Sequence, residues 1–235
     1  FLQPGAALAE DEVATVVALR GSVTAVDVTG KDRSLAIQSP VFKEDTVITG
    51  ESGRIQLLFT DNTIVSLGRQ TEMKVIEHIW NDEKRKAAFK NEVKEGVFRI
   101  LGGAISKAAP ENFTTETPCG TIGIRGSMYA GKIRRQQLSV VFLGGTGIFV
   151  ENAAGRVDIT IPGFGTRVNE PGQAPSTPEP FSPEELQDLN DGLGGGKPDD
   201  KNGDGDSSAR DGEEPDGDLG SPDGARERGK ETPPV

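Results

Sequence analysis

The chain has 235 residues, of which 34% are hydrophobic, with 31 glycines, 15 prolines and a formal net charge of -11. Residues 1–170 carry 20 acidic and 20 basic side chains while residues 171–235 carry 17 and 6, so a neutral body is followed by an acidic appendage. That balance lacks the clustered Lys and Arg that phosphate recognition needs and argues against nucleic acid or anionic lipid as the main partner; a single cysteine, Cys119, excludes an intramolecular disulfide and a zinc site of several thiolates.

In chain order, "FLQPGAALAEDE" comes first. It combines the end of an apolar run with Ala7-Leu8-Ala9 before an acidic start, the small-x-small pattern of a secretory cleavage site. Residues 1–9 are therefore expected to be the end of a signal peptide, and the mature chain to be periplasmic or secreted, starting near Glu10. No later run of 18 or more apolar residues predicts a membrane-spanning helix.

From Glu12 to about Val168 the pattern is one of short strands. Val13, Thr15, Val16 and Val17 form a β-branched run, "GSVTAVDV" alternates, and "GRIQLLFTDNTIVSLG" sets two strands about the turn pair Asp61-Asn62. Such segments recur every dozen residues with no strongly helical stretch between them, which predicts an all-β fold of short twisted solenoid or sandwich type over residues 10–169. His78, the only histidine, sits in the alternating "KVIEHIW", where a surface or edge position is expected and not a catalytic base. Residues 81–95 read as a long hairpin in preference to an amphipathic helix, and "GGAISKAAPENF" holds one short helical turn before Pro110. Lys84-Arg85-Lys86 and Arg134-Arg135 read as hairpin tips.

The stretch "TPCGTIGIRGSMYAG", residues 117–131, has the spacing G-x-x-G-x-x-G at Gly120, Gly123 and Gly126. A dinucleotide loop needs G-x-G-x-x-G between a strand and a helix, and a nucleophile elbow needs G-x-S-x-G with a histidine to serve it. Neither is present. The glycines are read as structural, allowing sharp turns and close backbone approach, with Arg125 as a planar donor fork satisfying carbonyls or a carboxylate at that corner. Cys119 reads as a small, partly buried filler and not a reactive thiol.

Beyond Pro171 the character changes. Residues 170–181 form a proline-rich linker. A short helix is predicted over 182–193, with Ser182 as its cap, Pro183 at the first helical position and Leu186, Leu189 and Leu193 as an apolar stripe. Being marginal alone, it either docks on the body or frays. Residues 194–235 read as a disordered, Asp/Gly-rich tail. Within it, "DKNGDGDSSARD" places Asp200, Asn202, Asp204, Asp206, Ser208 and Asp211 at the positions that point oxygens inward in a 12-residue calcium loop, with Gly205 at the sharp turn. Calcium is the one cofactor the sequence suggests.

The residues from "KEGVFRILGGAISKAAPENFTTETPCGTIGIRGSMY" through "LSVVFLGGTGIFVENAAGRV" resemble the FecR domain, a periplasmic module of bacterial envelope regulators; "DTVITGESGRIQLLFTDNTIVSLG" fits the same pattern. The resemblance spans about residues 13–168. Its most specific element is Ile122-Gly123-Ile124-Arg125-Gly126-Ser127, in which Ser127 stands where the family usually carries Thr, so the hydroxyl is kept. In transmembrane members a cytoplasmic sigma-factor-binding segment and a membrane helix precede the domain; neither is expected in this chain. The resemblance implies a non-catalytic, exported interaction or sensory domain that recognises a protein partner in signalling. The other expectation is a self-associating scaffold subunit of an envelope assembly with a calcium-responsive tail.

Overall fold

The computed structural model describes residues 11–81 and 86–194. The expected signal-peptide remnant at residues 1–9, the tip of the 81–95 hairpin and the acidic tail with its candidate calcium ligands lie outside the described residues. In chain order the strands are β1 (Glu12–Arg20), β2 (Val23–Val26), β3 (Asp32–Ser34), β4 (Pro40–Phe42), β5 (Thr46–Thr49), β6 (Arg54–Phe59), β7 (Ile64–Leu67), β8 (Glu72–Asn81) and β9 (Lys86–Leu101). After a short helix α1 (Ala104–Ala108) come β10 (Phe113–Thr117), β11 (Gly120–Ile124), β12 (Met128–Arg134), β13 (Gln137–Gly144), β14 (Ile148–Asn152), β15 (Gly155–Ile159), β16 (Phe164–Val168), β17 (Glu179–Pro180) and helix α2 (Pro183–Leu193).

Two layers share one strand. Sheet A runs β4-β1-β6-β7-β9-β12-β13-β16-β17 and sheet B runs β3-β2-β5-β8-β9-β10-β11-β14-β15. All these pairings are antiparallel except β9 with β10. The N-terminal half of β9 lies in sheet B and its C-terminal half in sheet A, because Gly96 turns the strand at φ +109°. A side chain there would meet the Thr71 hydroxyl at 2.1 Å, so only glycine fits. The hydroxyl of Thr71 accepts from Val97 N–H at 3.0 Å and closes the kink.

One apolar core fills the space between the layers, with Phe59, Phe98 and Tyr129 from sheet A meeting Phe89 and Phe113 from sheet B. Phe89 stacks on Phe113 at 4.4 Å and meets Phe59 edge-on at 4.9 Å, the offset and edge geometries that aromatic rings favour. Tyr129 is fully buried, and its hydroxyl finds Thr115 of the opposite layer at 2.6 Å. Among the described residues no helix is long and apolar enough to cross a membrane.

Candidate interaction face

The glycine stretch divides into parts with different tasks. Gly120 belongs to the β10–β11 turn, Gly123 lies mid-strand opposite Phe149, and Gly126 (φ +60°) sits where the chain leaves sheet B to enter sheet A. At Gly123 a Cβ would stand 2.0 Å from the Phe149 ring, so the ring lies flat on the strand where any side chain would displace it. Arg156 covers the other face of that ring at 3.8 Å.

Arg125 does not act as the donor fork expected of it. Its side chain is exposed and makes no hydrogen bond among the described residues, acting only at a distance on the Asp158 carboxyl. The corner is fastened by Ser127, which is buried. Its hydroxyl accepts from Gly147 N–H at 2.9 Å and lies within donating distance of the carbonyls of Gly147 (2.9 Å) and Arg125 (3.0 Å), tying together the two turns that flank β12 and β13. Backbone bonds from Gly126 N–H to Ser106 and from Gly102 N–H to Ser127 attach this corner to α1. Cys119 is buried and directs its thiol to the Gln136 carbonyl; burial pushes that thiol up, away from the thiolate form that reacts.

The surface position expected of His78 is wrong. A register shift between Val75 and Glu77 reverses the inward parity of β8, so His78 turns into the core, where its ring meets Phe59 and Phe89 and its Nε2 lies 3.3 Å from Asp61. Asp61 also accepts from the hydroxyl (2.8 Å) and N–H (3.1 Å) of Thr63 and from Ile105 N–H (3.1 Å) at the start of α1. Burial opposes its charge, but the bonds from His78, Thr63 and Ile105 outweigh that cost and hold its carboxyl below the usual range. Asp61 thus serves α1 as a borrowed N-terminal cap, since Gly103 at the cap position has no side chain to offer.

The outward side of sheet A has a different chemistry. Helix α2 lies across β13, β12 and β9, with Phe181 and Leu189 buried on Val97, Ala130 and Val141 and with Leu186 and Leu193 partly covered. The predicted cap is present and reciprocal: Ser182 accepts from Glu185 N–H and Glu185 accepts from Ser182 N–H, and Gly194 closes the far end at φ +96°. An isolated helix of this length is marginal in water, whereas each buried apolar side chain contributes about 1.5–3 kcal/mol, so docking decides that it forms. Charge fixes its position. Arg167 pairs with Glu185 and Lys132 with Asp188, while Arg54 donates to the last-turn carbonyls of Asp191 (3.1 Å) and Gly192 (3.4 Å). The Ser182 N–H, and after it the Arg167 guanidinium, hold the Glu185 carboxyl below the usual range. These cations come from three strands far apart in sequence; only their outward parity within each strand is readable from the chain.

Residues 45–146 match the family model described as FecR protein. This stretch is a FecR domain. The match begins at the start of β5 and ends in the turn that Ser127 fastens, so the glycine corner and the kinked β9 are parts of the FecR domain, while α2 lies beyond it. It supports a signalling or regulatory domain. Two crystal structures of a candidate anti-sigma factor from Parabacteroides distasonis ATCC 8503 are similar to the chain at 15% identity and a TM-score of 0.48, covering 60% of this chain and 62% of that one. A cell surface anchoring domain is similar at 34% identity over 26% of this chain and 82% of its own, with a TM-score of 0.26. No curated protein matches the chain.

Proposed function

We propose that the chain is an exported, non-catalytic interaction domain of the bacterial envelope that recognises a protein partner in signalling. The observation that supports this reading best is the outer face of sheet A, a cross-strand surface that already holds one helix by a leucine stripe and cationic contacts from Arg54, Lys132 and Arg167. The histidine, its aspartate partner and the cysteine have other duties. His78 and Asp61 are committed to each other beneath α1, and the Cys119 thiol is pushed up by burial. Export rests on the Ala7-Leu8-Ala9 pattern.

Assembly through free strand edges is the weaker reading. β15 sets Arg156 and Asp158 along its edge and β3 spans three residues carrying Asp32 and Arg33, the short and charged edges that discourage open-ended pairing. Photoreactive residues placed one at a time over both sheets of the full chain in a bacterial host test the proposal. The protein is expected in the periplasm or medium, with ultraviolet light giving a discrete adduct to one envelope protein. Retention in the cytoplasm, or adducts only between copies of the chain, would overturn it.

A further inference from the structure

The outer face of sheet A is wider than the helix it carries. Strand register sets its outward side chains in parallel rows about 7 Å apart, two residues along each strand. One row is Gln56, Ser66, Arg99, Ala130 and Val141; the next is Leu58, Ile64, Leu101 and Met128, each opposite its neighbour across β6, β7, β9 and β12. Helix α2 covers Val97, Ala130 and Val141, so the second row lies about 10 Å from its centre line, the distance at which two helices pack side by side.

That second row is apolar and open. Leu58 is 36% exposed and Leu101 43%. Scattered exposed hydrophobics are ordinary, but a contiguous stripe over four adjacent strands marks an interaction surface. The row between stripe and helix carries Arg99. At the C-terminal end of α2 a groove of about 240 Å³ is lined by Arg20, Arg54, Arg99, Gln56, Ser66 and Leu193, with no carboxylate among the described residues on its walls. Arg20 and Arg99 make no ion pair among the described residues.

We propose that this stripe and the arginine groove beside it seat an amphipathic helix of the protein partner, apolar on its inner face and acidic on the flank turned toward α2. This rests on the partner-recognition reading above. The sheet shows what such a ligand looks like: α2, held on the same face, is a leucine-striped helix with Glu184, Glu185, Asp188 and Asp191. A second helix laid beside it would bury Leu58, Leu101 and Met128 and bring its carboxylates to Arg99 and Arg20, cations that α2 leaves unmatched.

The test is a fluorescence-anisotropy titration of the full chain with a labelled synthetic peptide of about four helical turns, leucines at i, i+3, i+4 and i+7 and glutamates on one flank. Saturable binding is expected, weakened at least about tenfold by Leu101→Glu and by Arg99→Glu, and lost when lysines replace the glutamates. Both variants should melt as the wild type does, since Leu101 is exposed and Arg99 lies outside the core. No saturation at millimolar peptide, equal affinity for the lysine peptide, or unchanged affinity in Leu101→Glu would overturn the seat. So would a dimer in sedimentation that Leu101→Glu dissolves, for the occupant would then be a second copy. Photoadducts to an envelope protein that arise only from sheet B would retain partner recognition and overturn this seat alone.

Discussion

A carboxylate with no exposed surface survives at position 61 because four donors reach it, and that makes Asp61 a polar residue on which the fold depends. Since its folded pKa lies below the unfolded one, the unfolded chain takes up the proton first on acidification. The stabilisation is therefore complete above the ordinary aspartate value of about 4 and is lost as pH falls through the lower folded value. Asp61→Asn replaces one acceptor oxygen by an NH2 group facing donors, and should cost about 3 kcal/mol at neutral pH while flattening the acid limb of the stability curve. Equilibrium urea unfolding at neutral and acid pH measures both. A variant within about 0.5 kcal/mol of the wild type, or one with an unchanged acid slope, would show that the buried network is not what anchors α1.

At the scale of elements, α2 separates what is legible in the sequence from what is not. Ser182, Pro183 and the leucine stripe announce the helix, because capping and periodicity are local. Where it lands is not local: Val97, Ala130 and Val141 become one seat only when β9, β12 and β13 pair. The same division explains His78, where strict alternation gives the wrong face because a bulge between Val75 and Glu77 shifts parity by one, and Gly96, whose kink shows only once the two halves of β9 pair in different sheets. Arg125 stood out by its place in a glycine-rich motif, whereas the fastening falls to the hydroxyl two residues later. Because the apolar cluster under α2 is separate from the main core, the helix should open without the sandwich. Leu189→Ala should cost about 2 kcal/mol locally, raising amide exchange over residues 184–193 roughly thirtyfold while the protection of β9 is kept. Uniform loss of protection across both sheets would instead make α2 part of the global folding unit.

For the molecule as a whole, β9 is the member through which the two layers become one structure, so damage at its kink cannot stay local. Gly96 holds a left-handed φ of +109° and meets Thr71 within 2.1 Å, which loads a substituted side chain with both backbone strain and overlap. Gly163 has a comparable φ of +84° but open space around it, so a side chain there bears strain alone. The contrast isolates the contact. Gly163→Ala should cost about 1 kcal/mol, the strain of a left-handed residue, and lower the melting temperature by about 2–4 °C. Gly96→Ala must in addition push Thr71 away, breaking its bond to Val97 N–H and parting β8 from β9, and should cost about 3–4 kcal/mol and roughly 10 °C. Because both sheets hang on this strand, the loss should appear as a single cooperative transition at lower temperature, with tyrosine fluorescence from buried Tyr129 and far-ultraviolet dichroism falling together. Two separated transitions in Gly96→Ala would mean that the layers fold independently and that β9 only connects them.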